Sequence, residues 1–89
     1  MKPNVAKELL IHPLITEKAV NLIEKENTIT FIVEKHASKP QIKEEFEQRF
    51  NVKVDAVRTL NDTKGRKKAL IKLNSKFKAS DIAMKLGVI

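Results

Sequence analysis

The chain has 89 residues, with 18 Lys+Arg against 11 Asp+Glu, a net charge of +7, and no Cys, Trp or Tyr. That length supports one small domain with a modest core, and it leaves little room for a large catalytic cleft. The missing cysteines exclude a disulfide scaffold and a thiolate zinc site. No run approaches the roughly 18 apolar residues of a membrane-spanning helix, and no apolar leader segment opens the chain, so an intracellular protein is expected.

The charge is unevenly spread. Residues 1–50 hold eight Lys/Arg and eight Asp/Glu, net zero, whereas residues 51–89 hold ten Lys/Arg and three Asp, net +7. The densest stretch runs from Lys64 to Lys78, with seven cations and no acidic residue. Like charges so close repel one another, and a one-sided basic surface points to a polyanion, most often nucleic acid. A solvated basic face is the plainer alternative.

Residues 1–12 read as a short lead in which Leu9, Leu10 and Ile11 suit a short edge strand. Thr16 then has the place of a helix N-cap, with Glu17 in the first turn where the helix dipole favours an anion. Ala19, Val20 and Ile23 recur at helical spacing and predict a helix over about Glu17–Lys25, punctuated by Asn27. Thr28–Glu34 is rich in β-branched residues and predicts a strand. Its residues Ile29, Phe31 and Val33 share one face, and Ile32 implies cover on the other.

Ser38 and Gln41 have capping-box spacing, and Pro40 falls in a first helical turn, so a second helix is predicted over Ser38–Phe50. Ile42 and Phe46, with Phe50 or the Arg49 stem, line its inner face. Glu44, Glu45 and Glu47 read as a solvated face. Asn51 ends this helix. Val52–Leu60 predicts a strand with Val52, Val54 and Ala56 on one side, although Val57 and Leu60 break the alternation and admit a bulge. Asn61–Arg66 is a hairpin loop in which Gly65 supplies any positive φ. Lys67–Leu73 predicts a strand with Ala69, Ile71 and Leu73 inward and Lys68 and Lys72 outward. A last helix covers about Ala79–Leu86, closed by Gly87. The expected fold is α+β: a small antiparallel sheet, built from a split β-α-β unit plus a hairpin and a possible N-terminal edge strand, packed with three short helices. The hairpin's second strand is expected between the other two.

Catalytic chemistry has little support. His12 and His36 are the only histidines. Neither stands at recognisable spacing from a nucleophile, and two His without Cys fall short of a metal site. With only two glycines there is no phosphate loop. No cofactor is expected. The hairpin Lys64-Gly65-Arg66-Lys67-Lys68 offers phosphate contacts instead, with Thr59 and Asn61 as neutral hydrogen-bonding neighbours. Phe31 is the only aromatic in a strand, so base-stacking on the sheet is not expected, and folded RNA read through its phosphates fits better.

An ordered set of segments carries a family likeness. They are Pro13-Leu14-Ile15-Thr16-Glu17-Lys18-Ala19, Ile29-Thr30-Phe31-Ile32-Val33, Ala37-Ser38-Lys39 with Ile42-Lys43, and Phe50-Asn51-Val52-Lys53-Val54. Val57, Thr59-Leu60, Gly65 with Lys67-Lys68-Ala69, Ile82-Ala83 and Leu86-Gly87 complete it. In this order the chain resembles the large-subunit ribosomal protein family numbered twenty-three, which sits at the rim of the peptide exit tunnel. The resemblance implies a structural, non-enzymatic constituent of the large subunit, ribosome-bound in the cytoplasm. Its implied partners are large-subunit rRNA, the ribosomal protein numbered twenty-nine, and factors that meet nascent chains (chaperones, the signal recognition particle and the translocon).

Carried over by position, Thr16, Lys18, Thr59, Lys67 and Lys68 match rRNA-facing positions, and Glu17 matches an acidic residue used for chaperone docking. Together with the basic run, the expected rRNA-binding set is Thr16, Lys18, Lys39, Arg58, Thr59, Lys64, Arg66, Lys67, Lys68 and Lys72. Two positions depart from the family pattern: Arg58 stands where Asn is common, and Leu70 where an aromatic is often found. The short Asn61–Arg66 connection looks like the archaeal form, without the long extension of bacterial members, which fits a rim role. The alternative reading is a protein-interaction adaptor with a non-specific basic surface.

Overall fold

The computed structural model describes residues 9–87; the first eight residues of the expected lead lie outside them. The elements are β1 (Leu10–Pro13), α1 (Glu17–Glu26), β2 (Thr28–Val33), α2 (Lys39–Phe50), β3 (Val54–Asn61), β4 (Lys67–Leu73) and α3 (Ala79–Leu86). The α+β architecture follows the sequence expectation, including the edge strand β1 beside β2.

Local chemistry sets the helix boundaries. Thr16 caps α1, its Oγ1 accepting the Ala19 N–H at 3.2 Å. Ser38 and Gln41 form a complete capping box on α2. At the far ends, Asn27 (φ 53°) and Asn51 (φ 57°) turn the chain through the left-handed region that asparagine tolerates. Gly87 closes α3 in the same way at φ 77°.

The strands form one sheet in the order β1-β2-β4-β3, with every pairing antiparallel. β4 lies between β2 and β3, so the α2 connection joins two strands that run parallel to each other without touching. One sheet face carries Ile29, Phe31, Val33, Ala69, Ile71 and Leu73, and this face builds the core with Ile23 of α1, Ile42 and Phe46 of α2, and Ile82 and Ala83 of α3. The Phe31 and Phe46 rings meet edge to face at 5.8 Å. Phe50, not the exposed Arg49, completes the inner face of α2.

The β3 register differs from simple alternation. A shift falls between Val54 and Ala56, so Val54 pairs with Leu73 in the core while Ala56 pairs with Lys72 on the opposite face. The extra residue, Asp55, reverses the parity of everything after it. Val57 then sides with Ile71, and Arg58 and Leu60 alternate outward on the second face. The strand begins at Val54, where the Glu47 carboxylate accepts the Val54 N–H at 2.8 Å. Glu47 is therefore an anchor, not part of a solvated face.

Asn27 clips the two halves of the chain together. Its Nδ2 donates to the Phe77 carbonyl at 2.9 Å, and its Oδ1 accepts the Ala79 N–H at 2.7 Å. This one side chain ties the α1–β2 junction to the connection leading into α3.

Candidate nucleic-acid interface

Strand pairing defines a second sheet face. Thr28, Thr30 and Ile32 lie on it from β2, Lys68, Leu70 and Lys72 from β4, and Ala56, Arg58 and Leu60 from β3. The β2 positions are buried, the β4 positions half-buried to exposed, and the β3 positions exposed. The face therefore opens progressively toward the β3 edge. Arg58 sits across from Leu70, with Lys68 and Lys72 at the two diagonal positions. Diagonal neighbours are about 7–8 Å apart, so the three cations form a cluster. No acidic residue occupies these strand positions. Leu60, 45% exposed, and Leu70 lie between the charges. Lysine and arginine stems can cover such apolar atoms while their heads reach outward.

The hairpin turn is built on Asp62. Its carboxylate accepts the Lys64 and Arg66 backbone N–H groups, each at 2.9 Å, and the Arg66 Nε at 2.9 Å. The Arg66 Nη2 stands 2.8 Å from the same carboxylate. Gly65 holds φ 81° and donates its N–H to the Asp62 carbonyl. Partial burial works against ionising Asp62, but the hydrogen bonds from Arg66 and Lys64 and the adjacent guanidinium outweigh it and hold the carboxyl below its ordinary range. A depressed folded pKa means stability that is present above the unfolded value, near 4, and is lost as pH falls through the folded one. Asp62→Asn is therefore expected to lower the urea midpoint most at neutral pH, with the gap to wild type closing below about pH 4. A gap that does not change with pH would contradict this role.

The expected rRNA contacts fall into distinct places. Arg66 is committed to Asp62, so one of the seven cations of the basic run is internally compensated by a residue just outside it. Lys67 lies on the core side of the sheet and donates its Nζ to the Ala37 carbonyl at 2.7 Å, fastening the hairpin base to the start of α2. Lys39, the exposed first residue of α2, stands two positions from that carbonyl. Thr59 pairs with Ala69 on the core side, away from Arg58. Lys64 is exposed at the turn, and Lys68 and Lys72 belong to the second face.

Thr16, Glu17 and Lys18 are elsewhere. β1 runs away from the hairpin end of the sheet, from Leu10 opposite Val33 to Leu14 beside Thr30. The start of α1 follows β1, at the sheet edge opposite β3, and is exposed next to Ile15, which is 65% exposed. The structure thus gathers Arg58, Lys68 and Lys72, brings Lys39 near Lys67, and separates both groups from Thr16 and Lys18. Asp62, which organises the turn, escaped sequence reasoning because it precedes the basic run. His12 and His36 are exposed, and no cluster of three metal-ligating side chains exists among the described residues.

The class of protein is a small α+β domain whose second sheet face is buried along β2 and opens, with basic side chains, toward β3. A family model described as Ribosomal protein L23 matches residues 8–85, nearly the whole chain. The chain belongs to the ribosomal protein L23 family, structural proteins of the large ribosomal subunit.

Proposed function

We propose that the chain, acting as one domain over residues 1–89, binds large-subunit rRNA at the rim of the peptide exit tunnel through its second sheet face and hairpin. The observation that carries this is the cluster of Arg58, Lys68 and Lys72, none of them in an ion pair among the described residues, on a face that opens toward the β3 edge. Ammonium and guanidinium groups there contact phosphates and release counterions. No aromatic occupies that face, so recognition proceeds through the backbone and shape of folded RNA. Lys64 and Lys39 extend the contact at the hairpin end. Thr16 and Lys18 form a separate rRNA contact beyond the β1 edge, opposite β3. The short turn after Asn61 supports a rim position of archaeal type over a tunnel-lining one.

Ribosome-bound in the cytoplasm, the protein acts as a non-enzymatic scaffold. Glu17 with exposed Ile15 beside it, and the exposed Ile11 of β1, support a protein-docking surface for the ribosomal protein numbered twenty-nine or for nascent-chain factors such as chaperones, the signal recognition particle and the translocon. The same exposed isoleucines favour the adaptor as the second reading. Amide shift mapping by NMR separates the two. Adding a folded large-subunit rRNA fragment is expected to move the resonances of residues 56–60 and 68–72 most. Shifts confined to α1, or none, would favour the adaptor.

A further inference from the structure

A groove of about 380 Å³ lies between the end of α2 and the start of α3. Phe50 and Phe77 line it, each half-buried and packed on one side against the core. Lys76, Lys78 and Lys85 stand around it, with Asp81 as the one acidic group. Among the described residues, none of these three lysines is in an ion pair. Lys76 and Lys78 continue the basic run that supplies Lys68 and Lys72 to the second sheet face. Lys72 is at the end of the sheet nearest this groove, since its neighbour Leu73 pairs with Val54 at the start of β3.

Two aromatic surfaces ringed by cations suit a ligand that is both flat and anionic. We infer that this groove takes an unpaired RNA nucleotide, its base against the Phe77 and Phe50 rings and its phosphates on Lys76, Lys78 and Lys85. The inference rests on the proposal that the chain binds RNA, and it adds a second mode to it. A duplex hides the faces of its bases and offers the sheet only phosphates, whereas an extruded or single-stranded base exposes a face that can stack on an aromatic ring. Stacking was not expected on the sheet, where Phe31 is the only strand aromatic. Phe50 and Phe77 come from a helix end and a loop, and only the fold brings them together.

The test compares three probes on the full chain: a short single-stranded RNA, the same RNA annealed as a duplex, and inorganic polyphosphate. Phe77→Leu keeps an apolar side chain against the core and removes the ring. It is expected to weaken single-strand binding roughly fivefold or more while leaving duplex and polyphosphate binding unchanged. The double variant Lys76→Gln/Lys78→Gln, on the surface and without risk to the core, is expected to reduce the salt dependence of single-strand binding by about two contacts. Equal loss for all three probes, or no loss with Phe77→Leu, would overturn the inference. So would an acidic aromatic peptide that occupies the groove when single-stranded RNA does not. Failure of the sheet-face reading is distinguishable: the Arg58, Lys68 and Lys72 substitutions would then leave duplex binding intact while the Phe77 effect persists.

Discussion

Phe46→Ala is expected to destabilise the protein by about 3–5 kcal/mol, the usual cost of truncating a fully buried phenylalanine. Phe46 is completely buried. Its ring meets Phe31 at 5.8 Å and Phe50 at 4.6 Å, so its loss leaves a void and breaks the aromatic contact between α2 and the sheet. Four phenylalanines are the only aromatic residues in the chain, and three of them join in this cluster. A domain this small holds only about 5–15 kcal/mol in total, so the loss takes a large share of it. Urea unfolding would show the midpoint falling with little change in slope. A loss below about 1 kcal/mol would mean that the core does not depend on this cluster.

The second large effect concerns binding. The triple variant Arg58→Gln, Lys68→Gln, Lys72→Gln removes three cations from one face while leaving the core side of the sheet untouched. Each phosphate contact contributes close to one unit of slope in log affinity against log salt. The variant is therefore expected to bind rRNA with a slope smaller by about two to three. Its affinity should fall by at least about tenfold at low salt, with folding stability nearly unchanged. Relief of repulsion among the three cations works in the direction of stability. Lys67→Ala should behave differently, because Lys67 Nζ holds the Ala37 carbonyl and its loss affects the fold as well as charge.

These contrasts show what the sequence carries and where it stops. Helix ends were legible because capping is local. Thr16, Ser38 with Gln41, Asn51, Gly87 and the Asn27 backbone each cap within a few residues of their position, whereas the long-range clip made by the Asn27 side chain was not legible. β4 was legible because Ala69, Ile71 and Leu73 alternate with Lys68, Leu70 and Lys72, two of them charged. The outward set of β3 was not, because one extra residue at Asp55 changes which side chains share a face, and Ala56 alone does not reveal it. The hairpin cations looked equivalent in sequence. Pairing of Arg66 with Asp62 and of Lys67 with Ala37, thirty residues away, separates them from Lys64 and Lys68. Family resemblance supplied the class of partner, whereas only the strand register joins Arg58, Lys68 and Lys72 into one cluster.

The most direct measurement of the central claim is a competition assay over a salt series, run on wild type and on the triple variant. A folded large-subunit rRNA fragment competes with an unrelated RNA duplex of equal length. The account predicts that wild type prefers the rRNA fragment up to near-physiological salt, and that the triple variant loses both affinity and slope. Equal, steeply salt-dependent binding of wild type to both RNAs, or an unchanged slope in the variant, would contradict it.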